Sequence, residues 1–224
     1  TFEGGDFIPL GERALLGCGS RTNEPGIKQI LSEGLGFDEI AVVRDPVHPL
    51  IRGPDPMVNL HLDTYFNIPA DGVAVGCPPL LREAQVELYQ KASDDYKYKG
   101  HAGNLFDYIK NIGFDLIEIT TLEQLCYAAN FLCIRSGECV APDTGEIAPL
   151  VIRRLAEKEL QHPGIYSPLL AQAKKDYSKL SLDSTFFPHN PQVHAHGIAM
   201  TTITLTNATG GYGGAHCMTC VVKR

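Results

Sequence analysis

Long hydrophobic runs are missing from this 224-residue chain. None approaches the ~18 apolar residues that a membrane-crossing helix needs. No charged, apolar and small-residue leader opens the chain. A membrane role is therefore not expected, and a cytoplasmic location is. Positive charge is also scarce: 19 Lys and Arg face 26 Asp and Glu, for a net charge of -7, with a pI near 5.6. A sequence-independent nucleic-acid binder needs a basic stripe to displace condensed counterions. The pairs Arg153-Arg154 and Lys174-Lys175 make no such stripe and read as solvated helix faces.

A dense cysteine framework is missing too. The seven cysteines (Cys18, Cys77, Cys126, Cys133, Cys139, Cys217 and Cys220) are odd in number and sit in apolar stretches such as "LLGCGS" and "FLCI". Most are expected to be reduced core residues. A second C-x-x-C is absent beside Cys217 and Cys220, which weakens a structural zinc site. There is no initiating Met, and the opening "TFEGGDF" reads as the middle of a domain, so a longer parent is expected. What is present, at 44 % hydrophobic residues, is enough to bury a sizeable core.

The order of elements is more informative than any one of them. "TFEGGDFIPLGERALLGCGS" reads as two strands around Gly11-Glu12, "NEPGIKQILSEGLG" as a helix capped by Asn23, and "DEIAVVRD" as a strand. "LHLDTYFNIP" and "GVAVGCP" form a second strand pair, "LLREAQVELYQKA" and "GNLFDYIKNIG" carry helical periodicity, and "FDLIEIT" closes that unit. In a third unit, Ser136-Gly137 turns between strands of "LEQLCYAANFLCIRSGECVAPD"; the helix "EIAPLVIRRLAEKEL" and the strand "AMTTITLT" follow. Three approximate ββαβ copies predict a radially repeated α/β architecture. Residues 162 to 196, rich in proline and holding a helix at "LLAQAKKDY", read as an insertion in the last unit.

Four places carry residues suited to chemistry. "GGYGGAHC" brings Cys217 behind a glycine-rich approach, at an expected strand start, as a nucleophile or a structural thiol. His216 would then point to the opposite face and not act as its base. A metal reading would join Cys217 and Cys220 to His194 and His196, on one face of a strand, or to His189. "NLHLDTYFN" places His61 and Asp63 on one face of an extended strand, suited to acid-base work beside a cation site or to a solvated surface. "FEGGDF" sets Glu3 and Asp6 around two glycines in an apolar strand. Convergence of these strand starts on one centre would let carboxylates grip a planar cation while a thiolate attacks its carbon and histidine protonates the leaving nitrogen.

Taken in order and spacing, "FEGGDF", "HLDTYFN", "AANFLCI" and "GAHCMTC" resemble the guanidino-group-modifying (pentein) superfamily, closest to arginine deiminases and arginine dihydrolases. The resemblance implies an α/β fold of pentein type: an α/β propeller of ββαβ units with five-fold pseudosymmetry, of which this chain holds about the last three. Residues 1 to 224 would be a catalytic domain incomplete at its N-terminus. The resemblance also implies Cys217 as covalent nucleophile, His61 as general acid/base, Glu3 as the carboxylate pairing with it, and Asp63 as guanidinium ligand. It makes Arg21 a ligand of the substrate's α-carboxylate; Asp6, grouped with these, looks more like a structural member of its motif.

The implied reaction is hydrolysis of the guanidino group of arginine to citrulline and ammonia through a thiouronium on Cys217, with no metal and no cofactor. A dihydrolase giving ornithine and an amidinotransferase are the alternatives within the superfamily, and a non-catalytic binding protein is the alternative outside enzyme chemistry. Expected partners are a small-molecule guanidine (L-arginine or an analogue), a further copy of the chain in a homo-oligomer, and an N-terminal chain that completes the fold and supplies the family's other guanidinium-binding Asp. No nucleic acid or membrane is among them. Tyr212 stands where arginine deiminases typically carry an arginine, which leaves a substrate other than free arginine open.

Overall fold

The computed structural model describes residues 1–55, 58–93, 95–211 and 213–219, so Tyr212 and Cys220 lie outside the described residues. Three β-sheets, with helices packed against them, make an α/β fold. The first sheet runs in the order β1 (Phe7–Leu10), β2 (Arg13–Cys18), β3 (Glu39–Arg44), β6 (Gln85–Ala92) and β7 (Asp95–Asn104). The second is β4 (Phe66–Ala70), β5 (Val73–Gly76) and β8 (Asp115–Glu118); the third is β9 (Leu132–Arg135), β10 (Glu138–Pro142) and β11 (Ala199–Ile203).

Each sheet carries the same signature. An antiparallel hairpin is followed, after a helical crossover, by a strand parallel to its second member: β1-β2-β3, β4-β5-β8 and β9-β10-β11. The crossovers are α1 (Glu24–Glu33) in the first unit, and α2 (Pro78–Glu83) with α3 (Leu105–Asn111) in the second. In the third they are α5 (Thr144–Gln161), α6 (Ser167–Asp183) and α7 (Pro191–Ala195), with α4 (Thr121–Leu125) ahead of β9 and α8 (Thr206–Gly210) after β11. Helix starts follow ordinary capping chemistry: Asn23 Oδ1 accepts from the Gly26 N–H at 3.1 Å, and Thr120 with Glu123 forms a reciprocal capping box.

The first strands of the three sheets face one another. Phe7 of β1, Asn67 of β4 and Leu132 and Cys133 of β9 line one cavity of about 510 Å³. Behind them a continuous core joins Leu15, Phe66, Val75, Leu105 and Phe131, all fully buried. A second cluster, around Leu122, Val151 and Leu169, holds α4, α5 and α6 together, so the segment after residue 162 packs on the body through α6. Among the described residues no helix is long and apolar enough to cross a membrane.

Several sequence expectations are corrected locally. "LLREAQVELYQKA" is helical only to Glu83; residues 85 to 92 form β6, because Val86 is buried on pairing antiparallel to β3, and sheet pairing overrides the local helical pattern. Glu3 and Asp6 do not lie in a strand: Gly4–Asp6 is a 3-10 turn leading into β1. Likewise His61 caps a 3-10 turn, Leu62–Thr64, that contains Asp63, rather than sharing an extended strand with it. Cys217 sits in a third such turn, His216–Met218, after β11 and α8, and not at a strand start. His194 belongs to α7 and His196 caps its end, so the expected His-Ala-His strand is a helix terminus.

Candidate active site

Three turns meet at one pocket of about 730 Å³. Glu3, His61, Asp63, His216 and Cys217 line it; Arg21 and Asp6 do not. The approach of the first two turns depends on Gly5. A Cβ there would sit 3.0 Å from both Asp63 carboxylate oxygens and from the His61 Cβ. Asp6, 2 % exposed, ties the same turns from behind by accepting the Leu62 N–H at 2.9 Å. Burial pushes the Asp6 carboxyl up, against the pull of its hydrogen bonds to Thr22 and Leu62.

His61 Nε2 lies 2.7 Å from Glu3 Oε2. That contact leaves Nδ1 without a partner among the described residues. Glu3 is also gripped by Arg21, whose Nε reaches Oε2 at 3.2 Å and whose Nη2 reaches Oε1 at 3.1 Å, a two-point clamp. Desolvation favours protonation of Glu3, but the hydrogen bonds and charges of His61 and Arg21 outweigh it and hold the carboxyl below its usual range. Glu3 therefore stays ionised at neutral pH, poised to stabilise an imidazolium at His61. Arg21, placed by sequence with the substrate ligands, has its guanidinium engaged by Glu3 and about half exposed.

Asp63, 1 % exposed, pairs through Oδ2 with His216 Nδ1 at 2.8 Å, while its Oδ1 has no partner among the described residues. The expectation that His216 and Cys217 face apart fails here. Strand alternation does not apply in a 3-10 turn, and both residues line the same pocket. Cys217 as a residue is exposed, yet its sulfur is crowded. Desolvation first, then the charge of Asp63, pushes its thiol above the ordinary value, and N–H groups of Gly214, Asn130 and Cys217 itself only partly offset this. At neutral pH the thiol is protonated in the absence of other charges.

Two asparagines that sequence reasoning passed over hold this arrangement. Asn130 is fully buried; its Oδ1 accepts the N–H groups of Gly214 and Cys217, both at 3.1 Å, and its main-chain oxygen accepts the His216 N–H at 3.0 Å. Its Nδ2 donates to the Asp63 carbonyl at 3.4 Å, so one side chain joins the Cys217 and Asp63 turns. Gly214 is required for this contact, since a Cβ there would lie 2.8 Å from Asn130 Oδ1. Asn67 in turn donates to the carbonyls of Ala129 and Phe131, fixing Asn130 between them. The available signal was a polar residue inside the apolar run "AANFLC", where burial demands partners.

The arginine deiminase family model matches residues 1–224. The chain belongs to the arginine deiminase family. Among curated members, the arginine deiminase of Halobacterium salinarum is 21 % identical over 255 residues, covering 99 % of this chain and 48 % of that protein. The chain thus spans about half the length of the curated relative it matches. Among solved structures, a mutant of DDAH from Pseudomonas aeruginosa complexed with citrulline aligns with a TM-score of 0.47 and 16 % identity, over 94 % of this chain and 51 % of that one. Family membership agrees with the resemblance read from the four motifs.

Proposed function

We propose that this chain carries the catalytic part of a cytoplasmic, homo-oligomeric enzyme that hydrolyses the guanidino group of L-arginine to citrulline and ammonia. The observation that carries this reading is the single pocket lined by Glu3, His61, Asp63, His216 and Cys217 in a chain of the arginine deiminase family. The ββαβ sheets are three blades of a pentein propeller. A further N-terminal segment, on the same or another chain, completes it and supplies a second guanidinium carboxylate.

In this mechanism Asp63 binds the substrate's guanidinium through the carboxylate that meets His216. Burial and then the charge of Asp63 keep the Cys217 thiol protonated; the bound cation offsets them, the thiol proton passes to solvent, and the thiolate attacks the guanidinium carbon. His61, as imidazolium balanced by Glu3, gives a proton to the departing nitrogen, which leaves as ammonia. Neutral His61 then takes a proton from water and the water oxygen adds to the thiouronium carbon; collapse breaks the C–S bond, and the hydroxyl proton leaves as the ureido C=O forms and returns the expelled Cys217 thiolate to the thiol. Arg21 binds the α-carboxylate only by releasing Glu3, so substrate binding and the ionisation of the acid/base pair are linked. Asp6 serves by fixing the turn that carries His61 and Asp63.

Incubation of the protein, with any co-purifying chain retained, with L-arginine followed by mass spectrometry tests the reading. Citrulline with an equimolar amount of ammonia is the expected result. Ornithine without citrulline would replace it with a dihydrolase reaction, and transfer of the amidino group to an added amine with an amidinotransferase.

A further inference from the structure

Cys133 and Cys139 have no part in the mechanism above, and they are the two thiols that the third sheet sets face to face. They are register partners on the antiparallel strands β9 and β10, so both side chains lie on one side of the sheet. Both point at one acceptor, the Pro69 carbonyl, with Sγ to oxygen distances of 3.5 Å for Cys133 and 3.6 Å for Cys139. The sulfurs also meet each other: a hydrogen bond to Cys133, ahead of desolvation, keeps the Cys139 thiol protonated. Access is unequal. Cys133 is half-buried and lines the cavity between β1, β4 and β9, whereas Cys139 is 1 % exposed. Cys18, Cys77 and Cys126 are buried in other elements.

We propose that Cys133 and Cys139 are an oxidisable dithiol that a hydroperoxide entering the central cavity closes to a disulfide. The accessible Cys133 sulfur attacks the peroxide; an S–O bond forms, the O–O bond breaks, and the leaving oxygen departs with the thiol proton as water or alcohol. Cys133 is then a sulfenic acid. The Cys139 sulfur attacks it, an S–S bond forms, the S–O bond breaks, and the hydroxide leaves as water with the Cys139 proton. Two thiols lose two electrons, and the peroxide gains them. Directly opposed residues have Cβ atoms about 4.5–5.5 Å apart, and a disulfide needs about 3.5–4.5 Å. Closure therefore draws the strands together by about 1 Å, and the register shift between Glu138 and Cys139 gives β10 the slack for it. Because β9 follows Asn130 by one residue, closure acts on the segment that holds the Cys217 turn.

The test uses the Cys217→Ser protein, so that oxidation of the pocket thiol cannot be mistaken for it. The protein is treated with hydrogen peroxide, quenched by alkylation and digested with trypsin. Cleavage after Arg135 puts the two thiols on separate peptides, and because the first also carries Cys126, fragmentation locates the link; the expected product is a pair joined through Cys133 and Cys139 that a dithiol reductant separates. In the Cys139→Ser, Cys217→Ser protein, Cys133 should instead be captured as its sulfenic acid by a 1,3-dicarbonyl probe. The proposal is overturned if Cys133 passes to the sulfinic acid while Cys139 is present, if Cys133 stays reduced, or if the bridge joins another pair. The first measurement needs no change at either thiol, so it decides the matter even if Cys139→Ser does not fold.

Discussion

Two sets of buried carboxylates in this protein are wired differently. Under the helices, every oxygen of Glu123 and Asp176 is used. Glu123 accepts the Thr120 N–H and hydroxyl at 2.8 Å through Oε2 and the Phe187 N–H at 2.8 Å through Oε1. Asp176 accepts the Leu122 N–H at 3.1 Å and the Gln172 side-chain amide at 2.7 Å. At the pocket the accounting is incomplete: Oδ1 of Asp63 and Nδ1 of His61, two residues that line it, have no partner among the described residues. A buried polar atom without a partner costs about 1–3 kcal/mol. Residues of the first set complete the fold; those of the second are held at a cost to it, as groups that meet a ligand are.

Substitutions separate the two sets. The largest effect is expected for Cys217→Ser, which should lower kcat for the proposed citrulline formation by a factor on the order of 10⁴ or more if Cys217 is the covalent nucleophile, while the urea midpoint hardly moves. A Cys217→Ser enzyme with a tenth of normal turnover would remove Cys217 from the role. Glu123→Ala should do the reverse. It strands the Phe187 and Thr120 N–H groups and breaks a capping box, for a loss of about 4 kcal/mol of unfolding free energy. Turnover per folded molecule should be unchanged. A Glu123→Ala protein of normal stability but depressed kcat would erase the distinction between the sets.

How far the sequence reached follows the same line. The hairpin-helix-strand order was legible because apolar alternation, Asn23 as a cap and the turns at Gly11-Glu12 and Ser136-Gly137 are local signals. β6 was not, since its strand identity comes from pairing with β3, forty residues away in the chain. Glu3, His61, Asp63 and Cys217 were identifiable as a group by residue type and motif, but their geometry was misread as strands. Each stands in a 3-10 turn or caps one, a three-residue feature with no periodicity to detect. Asn130 was invisible as a keystone because its partners, Gly214, His216 and Cys217, lie more than eighty positions downstream.

The smallest effect separates two neighbours, Asp45 and His48, through pH. Burial first, then the charge of Asp6, raises the Asp45 carboxyl from 3.8 to about 6, despite a hydrogen bond from the Ser20 backbone. The folded state thus holds this proton more tightly than the unfolded chain does; the stability it confers is complete below pH 3.8 and lost as pH rises through 6. Burial lowers His48 from 6.5 to about 4, so the stability of its neutral ring is complete above 6.5 and lost as pH falls through 4. Between pH 4 and 6 the two slopes oppose and flatten the profile. Asp45→Asn removes one of them. It should raise unfolding free energy at pH 8 by at most about 3 kcal/mol, give no gain below pH 3.8, and expose the acid-side loss that His48 causes. Urea titrations at pH 8, 6 and 3.5 measure this directly; an equal gain at all three would mean that the charge of Asp45 is not what the fold resists.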